Sequence, residues 1–498
     1  MAATATGYTL HFDFINSWKQ AKELILIAHH NGAEILNVVP PAHIWNLPAS
    51  KKILQNIFGL TKQLHMRIVL SRIDACPQST DDPHRTNYLF GQILDSPGIF
   101  PGGEQTNAFF KETVGLHSYE KWLRDETEYY SKNYSNQENL VGFSVGIFNE
   151  PFVSQRGSIL SYDFITDSYE IAQYTPSCLH WWQTWLKNKY GTLKIVNERY
   201  HSSFSAFSLI PMPKNEDDKR FAKSAMAYCD LVASINDWVK VQYQDCRDIW
   251  NKNAHRRIPL ILQFSGYVPE KFSKGRPAFA LLDIYSWIEM ADAVGISLYT
   301  NNEYDDWGHD SDTAMVNFLY LAVLQNKSIF VMEGGNERNG AVLVPKELDF
   351  FGSVGRILKP ESYIYEFLKA PYYAHFHNTD GYIVSSTGAI NYHALTAVKN
   401  ELSTSKQSAY ISHAVYVLDD PQSLSLDNDD LEIQQQLQVI ALKKALIFVP
   451  KDSVSLLPSG CSLLIIKKVY KEDEYKQLLP KHIKLIAARQ WIHEGLLQ

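Results

Sequence analysis

Cysteine is scarce in this chain and poorly placed for its usual roles. The 498 residues hold five, Cys76, Cys178, Cys229, Cys246 and Cys461. They are odd in number and scattered, with no CxxC or Cys/His ligand spacing, so neither a disulfide framework nor a zinc site is expected. Basic charge is also short. Lys and Arg total 47 against 54 Asp and Glu, a formal net charge of −7. That balance excludes the basic stripe of a nucleic-acid-binding protein and weighs against attraction to an anionic membrane. No apolar run is long enough to span a bilayer. The opening Met-Ala-Ala-Thr-Ala-Thr-Gly lacks the basic and apolar regions of a secretory signal, so a cytoplasmic protein is expected. The sequons at Asn133 and Asn326 therefore carry little weight. No glycine-rich phosphate turn follows the first strand-like segment, where Asp13-Phe-Ile-Asn-Ser17 stands, and there is no Walker A pattern.

What remains is an ordinary globular composition, 45% hydrophobic and 20% charged. Aromatic residues reach 13%, with Trp 11, Tyr 28 and Phe 24. Most such rings pack cores. A cleft whose rings stack on sugar faces is the second reading, and composition does not separate the two.

Strand-like and helix-like segments alternate over the first four hundred residues. Strands are predicted at Tyr8–Phe14, Ala33–Val39, Met66–Arg72, Val141–Phe148, Ile258–Phe264, Ala293–Tyr299, Ser328–Met332 and Gly381–Ser385. Helices are predicted at Ser17–His30, with Ser17 as cap, and at Ser50–Leu64, Tyr119–Ser131, Thr313–Leu324 and Ser362–Leu368. Such alternation implies a parallel sheet, and eight repeats imply a (β/α)8 TIM barrel. An open doubly wound sheet is the alternative. The expected division is a catalytic barrel over residues 1–400, with a helical insertion over about 177–253, and a small C-terminal α/β domain over 401–498. In the latter, strands are predicted at Ala409–Leu418, Ala445–Val449 and Cys461–Ile466, and a helix at Leu431–Lys444.

Two of the barrel strands end in a glutamate: Val141 to Phe148 runs into Asn149-Glu150-Pro151, and Ser328 to Met332 into Glu333-Gly334-Gly335. Barrel active sites lie at the C-terminal ends of the strands. Glycoside hydrolysis requires two carboxyl groups there, roughly 5 Å apart for retention of anomeric configuration and ~6.5–9.5 Å apart for inversion. A lone Glu after a strand is usually half of a salt bridge. Two, in this order along the chain, point to glycosidase chemistry.

The pair resembles clan A glycoside hydrolases, retaining (β/α)8 enzymes with an Asn-Glu acid/base on strand four and a Glu nucleophile on strand seven. Trp185-Leu186, Tyr190-Gly191, Asn197, Phe204 and Ile210-Pro211 are similar to the stretch that follows the acid/base in family 42, the β-galactosidase-type enzymes. The resemblance implies Glu150 as acid/base, Glu333 as nucleophile, Asn149 on the sugar 2-hydroxyl and Tyr299 touching the nucleophile. It also implies a carbohydrate substrate, no cofactor, and trimer assembly supported by the C-terminal domain. The chain departs from the family at Tyr200 and Ser205, where Trp is usual, and Pro151 is commoner in cellulase- and mannanase-like relatives. Galactose specificity is therefore open. An endo-acting β-glycanase and a catalytically silent glycan-binding barrel stand as alternatives.

Position suggests further contacts. Arg72 ends the third strand and could bind sugar hydroxyls or pair with a carboxylate. Trp45 and Trp307 lie on loops after strands and could stack on sugars. Around Trp307, Glu303, Asp305, Asp306, His309 and Asp310 lack calcium-ligand spacing, so no metal is expected. His29-His30 falls within a helix and reads as structural.

Overall fold

The computed structural model describes residues 7–11, 17–30, 32–39, 48–71, 86–87, 92–93, 114–145, 147, 160–163, 168–171, 173–214, 218–264, 284–299, 327–335, 414–418, 446–450, 463–466, 484–487 and 490. The chain opens with β1 (Gly7–His11), α1 (Trp18–His30), β2 (Ile35–Val39), α2 (Pro48–Gln63) and β3 (Arg67–Ser71). A short hairpin of β4 (Thr86–Asn87) and β5 (Gln92–Ile93) follows, then α3 (His117–Tyr134) and β6 (Leu140–Ser144). A second hairpin, β7 (Leu160–Asp163) with β8 (Ser168–Ile171), precedes α4 (Pro176–Tyr190), α5 (Leu193–Tyr200) and α6 (Ser224–Asn253). Next come β9 (Leu260–Phe264), α7 (Ile284–Met290), β10 (Ala293–Tyr299) and β11 (Ser328–Gly335). The C-terminal part holds β12 (Ala414–Leu418), β13 (Leu446–Pro450), β14 (Leu463–Ile466) and β15 (Lys484–Ala487).

Seven strands form one parallel sheet in chain order, β1-β2-β3-β6-β9-β10-β11. That order, with helices described between successive strands from β1 to β10, is the (β/α)8 barrel pattern. The expected eighth strand, Gly381–Ser385, lies outside the described residues, as do the helices expected at Thr313–Leu324, Ser362–Leu368 and Leu431–Lys444. A separate parallel sheet, β13-β12-β14-β15, occupies the C-terminal part. Its fourth strand, Lys484–Ala487, was not anticipated, because four residues are too few to show a period.

Register sorts the barrel residues into two faces, since partners in a ladder point the same way and neighbours along a strand point oppositely. The outer face meets the helices. There Phe143 of β6 stacks on Trp250 of α6, centroids 4.7 Å apart, and lies against Tyr130 of α3 at 5.6 Å. Tyr119 of α3 stacks on Trp238 of α6. The Tyr243 hydroxyl donates to the Leu260 carbonyl at 2.8 Å and accepts from the Asp292 N–H at 2.9 Å, tying α6 to the start of β9 and β10. Part of the aromatic richness of the sequence is spent in this helix–sheet layer.

The inner face carries an apolar cluster of Ile35, Val69, Ile261, Ala293 and Phe330. Gly142 lies on the same face, and a Cβ there would come within 2.8 Å of Ile261 Cδ1. The missing side chain lets Ile261 fill the barrel, the large-against-small interdigitation such interiors use.

Helix ends follow local chemistry. Ser17 Oγ accepts from the Gln20 N–H at 3.3 Å, the cap expected for α1. Gly32, at φ 96°, closes that helix with Gly32 N–H to His29 and Ala33 N–H to Ala28, a Schellman pair. His29 and His30 occupy the last turn of α1 and are exposed. The helical insertion expected over about 177–253 comprises α4, α5 and α6. Gly191, at φ 70°, ends α4, and His201, at φ 49°, ends α5. The sequon residue Asn133 sits inside α3, its side-chain amide donating to the Tyr129 carbonyl at 2.7 Å.

Candidate active site

All seven parallel strands end on the same rim, at His11, Val39, Ser71, Ser144, Phe264, Tyr299 and Gly335. Glu333 lies on β11 within two residues of that rim. The β10–β11 ladder pairs Ile296 with Val331 and then Ser297 with Glu333, so Met332 is an extra residue in a bulge. Beyond it Gly335 stands opposite Tyr299. In an unbroken ladder Glu333 would pair with Leu298; the bulge pairs it with Ser297 instead.

Towards the same rim the inner face turns polar. Ser71 Oγ donates to Asn37 Oδ1 at 2.6 Å, linking β3 to β2. Ser144 Oγ donates to Gln263 Oε1 at 3.2 Å, linking β6 to β9. All four side chains are buried. The apolar cluster therefore gives way, towards the C-terminal ends, to a hydrogen-bonded layer on four consecutive strands. These four residues were missed in the sequence. Their signal was available: each is a polar residue, two positions along from a buried inner-face residue, in an otherwise apolar run.

Of the expected site residues, Glu333 and Tyr299 fall on described strands, and the ladder brings their segments side by side. Glu150, Asn149, Arg72, Trp45 and Trp307 lie outside the described residues. β6, predicted to extend to Phe148, is described as strand to Ser144, with Val145 and Ile147 buried beyond it.

The residues after Glu150 that carried the family resemblance serve the scaffold. Trp185 Nε1 donates to Asp237 Oδ2 at 2.8 Å. Asn197 holds the turn after α5, its amide donating to the Phe204 carbonyl and its oxygen accepting from the Phe204 N–H, both at 2.9 Å. Tyr190, Tyr200 and Arg199 converge on the buried Asp230 carboxylate of α6, at 2.7 Å from each phenol and from Arg199 Nε. Burial and then the Asp230 charge push both phenols well above their ordinary pKa. Tyr200, where the family usually has Trp, is therefore an internal strut in this chain. Asp218 is a second anchor. Burial alone would raise its pKa, but Arg220 and the backbone N–H groups of Lys214 and Arg220 hold it down to about 2.

Among the described residues no group of His, Cys, Asp and Glu could hold a metal ion. Nor is any described helix long and apolar enough to cross a membrane.

The β-galactosidase family model Glyco_hydro_42 matches residues 159–338. This span contains Glu333 and begins shortly after Glu150. No curated protein matches the chain. Among solved structures it is similar to a polyextremophilic β-galactosidase from the Antarctic haloarchaeon Halorubrum lacusprofundi, at TM-score 0.66 and 14% identity, covering 97% of this chain and 72% of that one. It is similar to the β-galactosidase of Rahnella sp. R3 at TM-score 0.62 and 13% identity, covering 98% and 71%. An exo-carrageenase of Bacteroides ovatus follows at TM-score 0.55 and 11% identity, covering 99% and 70%. At such identities these likenesses speak for the fold. Barrel and family-model match together define the class, a (β/α)8 glycoside hydrolase. Within that class the likeness of this chain is to family 42, over the matched residues.

Proposed function

We propose that the protein is a retaining β-glycosidase of the β-galactosidase type, with Glu333 as nucleophile and Glu150 as acid/base. One observation carries the reading: the Met332 bulge pairs Glu333 with Ser297 beside the rim, on a strand inside the family-42 match. Glu333 attacks the anomeric carbon while Glu150 protonates the departing glycosidic oxygen. The resulting glycosyl ester on Glu333 is cleaved by water that Glu150, now ionised, deprotonates. The proton cycle follows from charge. Ionised Glu333 disfavours ionisation of Glu150 and keeps it protonated as an acid. Once esterified, Glu333 no longer repels charge, and Glu150 becomes acidic enough to stay ionised as a base.

Asn149 hydrogen-bonds the sugar 2-hydroxyl, a contact that strengthens in the oxocarbenium-like transition state. The Tyr299 phenol holds Glu333 ionised. Arg72, Trp45 and Trp307 bind the substrate, and no cofactor or metal takes part. Residues 401–498 form a small α/β domain that supports assembly, as a trimer.

The test is a screen of aryl β-glycosides and β-linked polysaccharides, with wild type beside Glu333→Gln. Release of an aryl β-galactoside by the wild type, with the β-anomer formed first and loss of turnover in the variant, is expected. Cleavage confined to internal polysaccharide bonds would make it an endo-glycanase. A wild type silent on every substrate would make it a glycan-binding barrel.

A further inference from the structure

We propose that the cleft between α2 and α3 is a second carbohydrate site, which holds a neutral oligosaccharide on the outside of the barrel; the class of sugar rests on the function proposed above. Where α3 meets α6 the helices close on each other through Tyr119 and Trp238. Between α2 and α3 a cleft of about 340 Å³ stays open, a size typical of the smaller ligand pockets. One wall is Lys51, Gln55 and Gly59, every fourth residue of α2. Residues so spaced share one helix face, and this stripe is roughly 12 Å long. The other wall is Tyr129 and Asn133 of α3 with Gln137 in the turn after it. Phe58 and Tyr134, both buried, stack beneath with centroids 5.4 Å apart. The Gln137 carbonyl accepts from the Leu140 N–H at the start of β6. That end of the cleft therefore lies at the N-terminal ends of the strands, opposite the rim beside Glu333.

Gly59 points to an occupant. It is exposed inside α2, without a left-handed φ, and a Cβ added there would meet nothing within 4 Å. Glycine is among the poorest helix formers, and neither packing nor backbone conformation calls for one at this place. Its bare backbone does admit the close approach of a ligand. The walls indicate which ligand. Among the described residues the side-chain amides of Gln55 and Gln137 have no partner, and Asn133 uses only its amide nitrogen, on the Tyr129 carbonyl. An amide offers a donor and an acceptor together, which matches a sugar hydroxyl. Tyr129 is half-buried and held edge-on by Tyr130 at 5.5 Å and Tyr134 at 6.2 Å, a fixed ring for the C–H face of a sugar. Lys51 Nζ lies 5.5 Å from the centre of that ring and is the one cation of the cleft; no carboxylate lines it among the described residues. Free amides around an aromatic ring, with a single charge, suit a neutral polyol better than an anion or an apolar peptide.

The experiment is native electrophoresis through gels containing soluble β-1,4-galactan or dextran sulfate, comparing wild type, Gly59→Leu, Tyr129→Ala and Glu333→Gln. Galactan should retard wild type and Glu333→Gln alike. Gly59→Leu fills the cleft and improves the helix, so it should melt no lower than wild type. Its apparent affinity for galactan should nevertheless fall at least about tenfold, with aryl β-galactoside turnover within about twofold of wild type. Tyr129→Ala should lose retardation as well. A wild type that galactan does not retard, or Gly59→Leu retarded as strongly as wild type, overturns the inference. Retardation by dextran sulfate alone would make the cleft an anion site and also overturns it. The two readings fail separately. If wild type turns over no aryl glycoside but Gly59→Leu abolishes retardation, the catalytic reading falls and the cleft stands. If Glu333→Gln is dead and retardation ignores Gly59→Leu, only the cleft falls.

Discussion

Glu333 stands opposite Ser297 in the β10–β11 ladder, one step past the extra residue Met332. A single bulge therefore sets the register position of this glutamate. The function proposed here depends on that register, and the rest of the fold determines how firmly the wall is held.

The insertion should depend on Asp230. Its carboxylate accepts from Tyr190, Tyr200 and Arg199, and is buried. Asp230→Ala strands two phenols and leaves Arg199 without its partner, so stability should fall by at least about 2 kcal/mol. Urea unfolding measures it; a loss below about 0.5 kcal/mol, the size of an ordinary surface substitution, would contradict the assignment.

Acid should weaken the Asp218 anchor. Its folded pKa of about 2 lies below the ordinary value of 3.8, so the stabilisation is complete above about pH 4 and is lost as pH falls through 2. Asp218→Asn should be less stable than wild type at pH 7, and the gap should close between pH 4 and pH 2. A gap unchanged across that range would remove the role given to Arg220.

Cys178 and Cys246 are free and buried, and burial pushes the Cys178 thiol far above its ordinary pKa. Neither should react with a thiol reagent in the native protein, and both should react in denaturant. Peptide mapping that finds either labelled under native conditions would contradict the packing of α4 and α6.

His65 adopts φ 56° in the Schellman close of α2, with Met66 N–H bonded to Thr61 and His65 N–H to Lys62. Glycine takes this conformation without a Cβ penalty, so His65→Gly should stabilise by up to about 1 kcal/mol. Gly115 is the converse case. At φ 71°, an added Cβ would lie 2.7 Å from the Ser177 carbonyl oxygen, so Gly115→Ala should lower the melting temperature. Opposite signs in thermal melts check both.

Much of this architecture was legible in the sequence, for particular reasons. Ala293–Tyr299 was bounded correctly because a buried parallel strand is a nearly unbroken apolar run, here stopped by two asparagines. Ser17 was legible as a cap because its hydroxyl precedes an amphipathic period. The insertion was expected as helical over about 177–253 without its internal breaks, because Gly191 and His201 act through backbone conformation, and a histidine at positive φ leaves no compositional mark. The bulge at Met332 was invisible for a related reason: it is a property of two strands in register, and neither strand alone contains it. Asn37, Ser71, Ser144 and Gln263 show in the sequence as polar residues in apolar runs, but their pairing into a layer emerges only when four distant strands lie side by side.

The most direct test of the central claim is covalent trapping with a 2-deoxy-2-fluoro-β-galactoside bearing an activated leaving group, followed by peptide mass mapping. One glycosyl unit esterified to Glu333 is the predicted result. A label on any other carboxylate, with Glu333 unmodified, would contradict it.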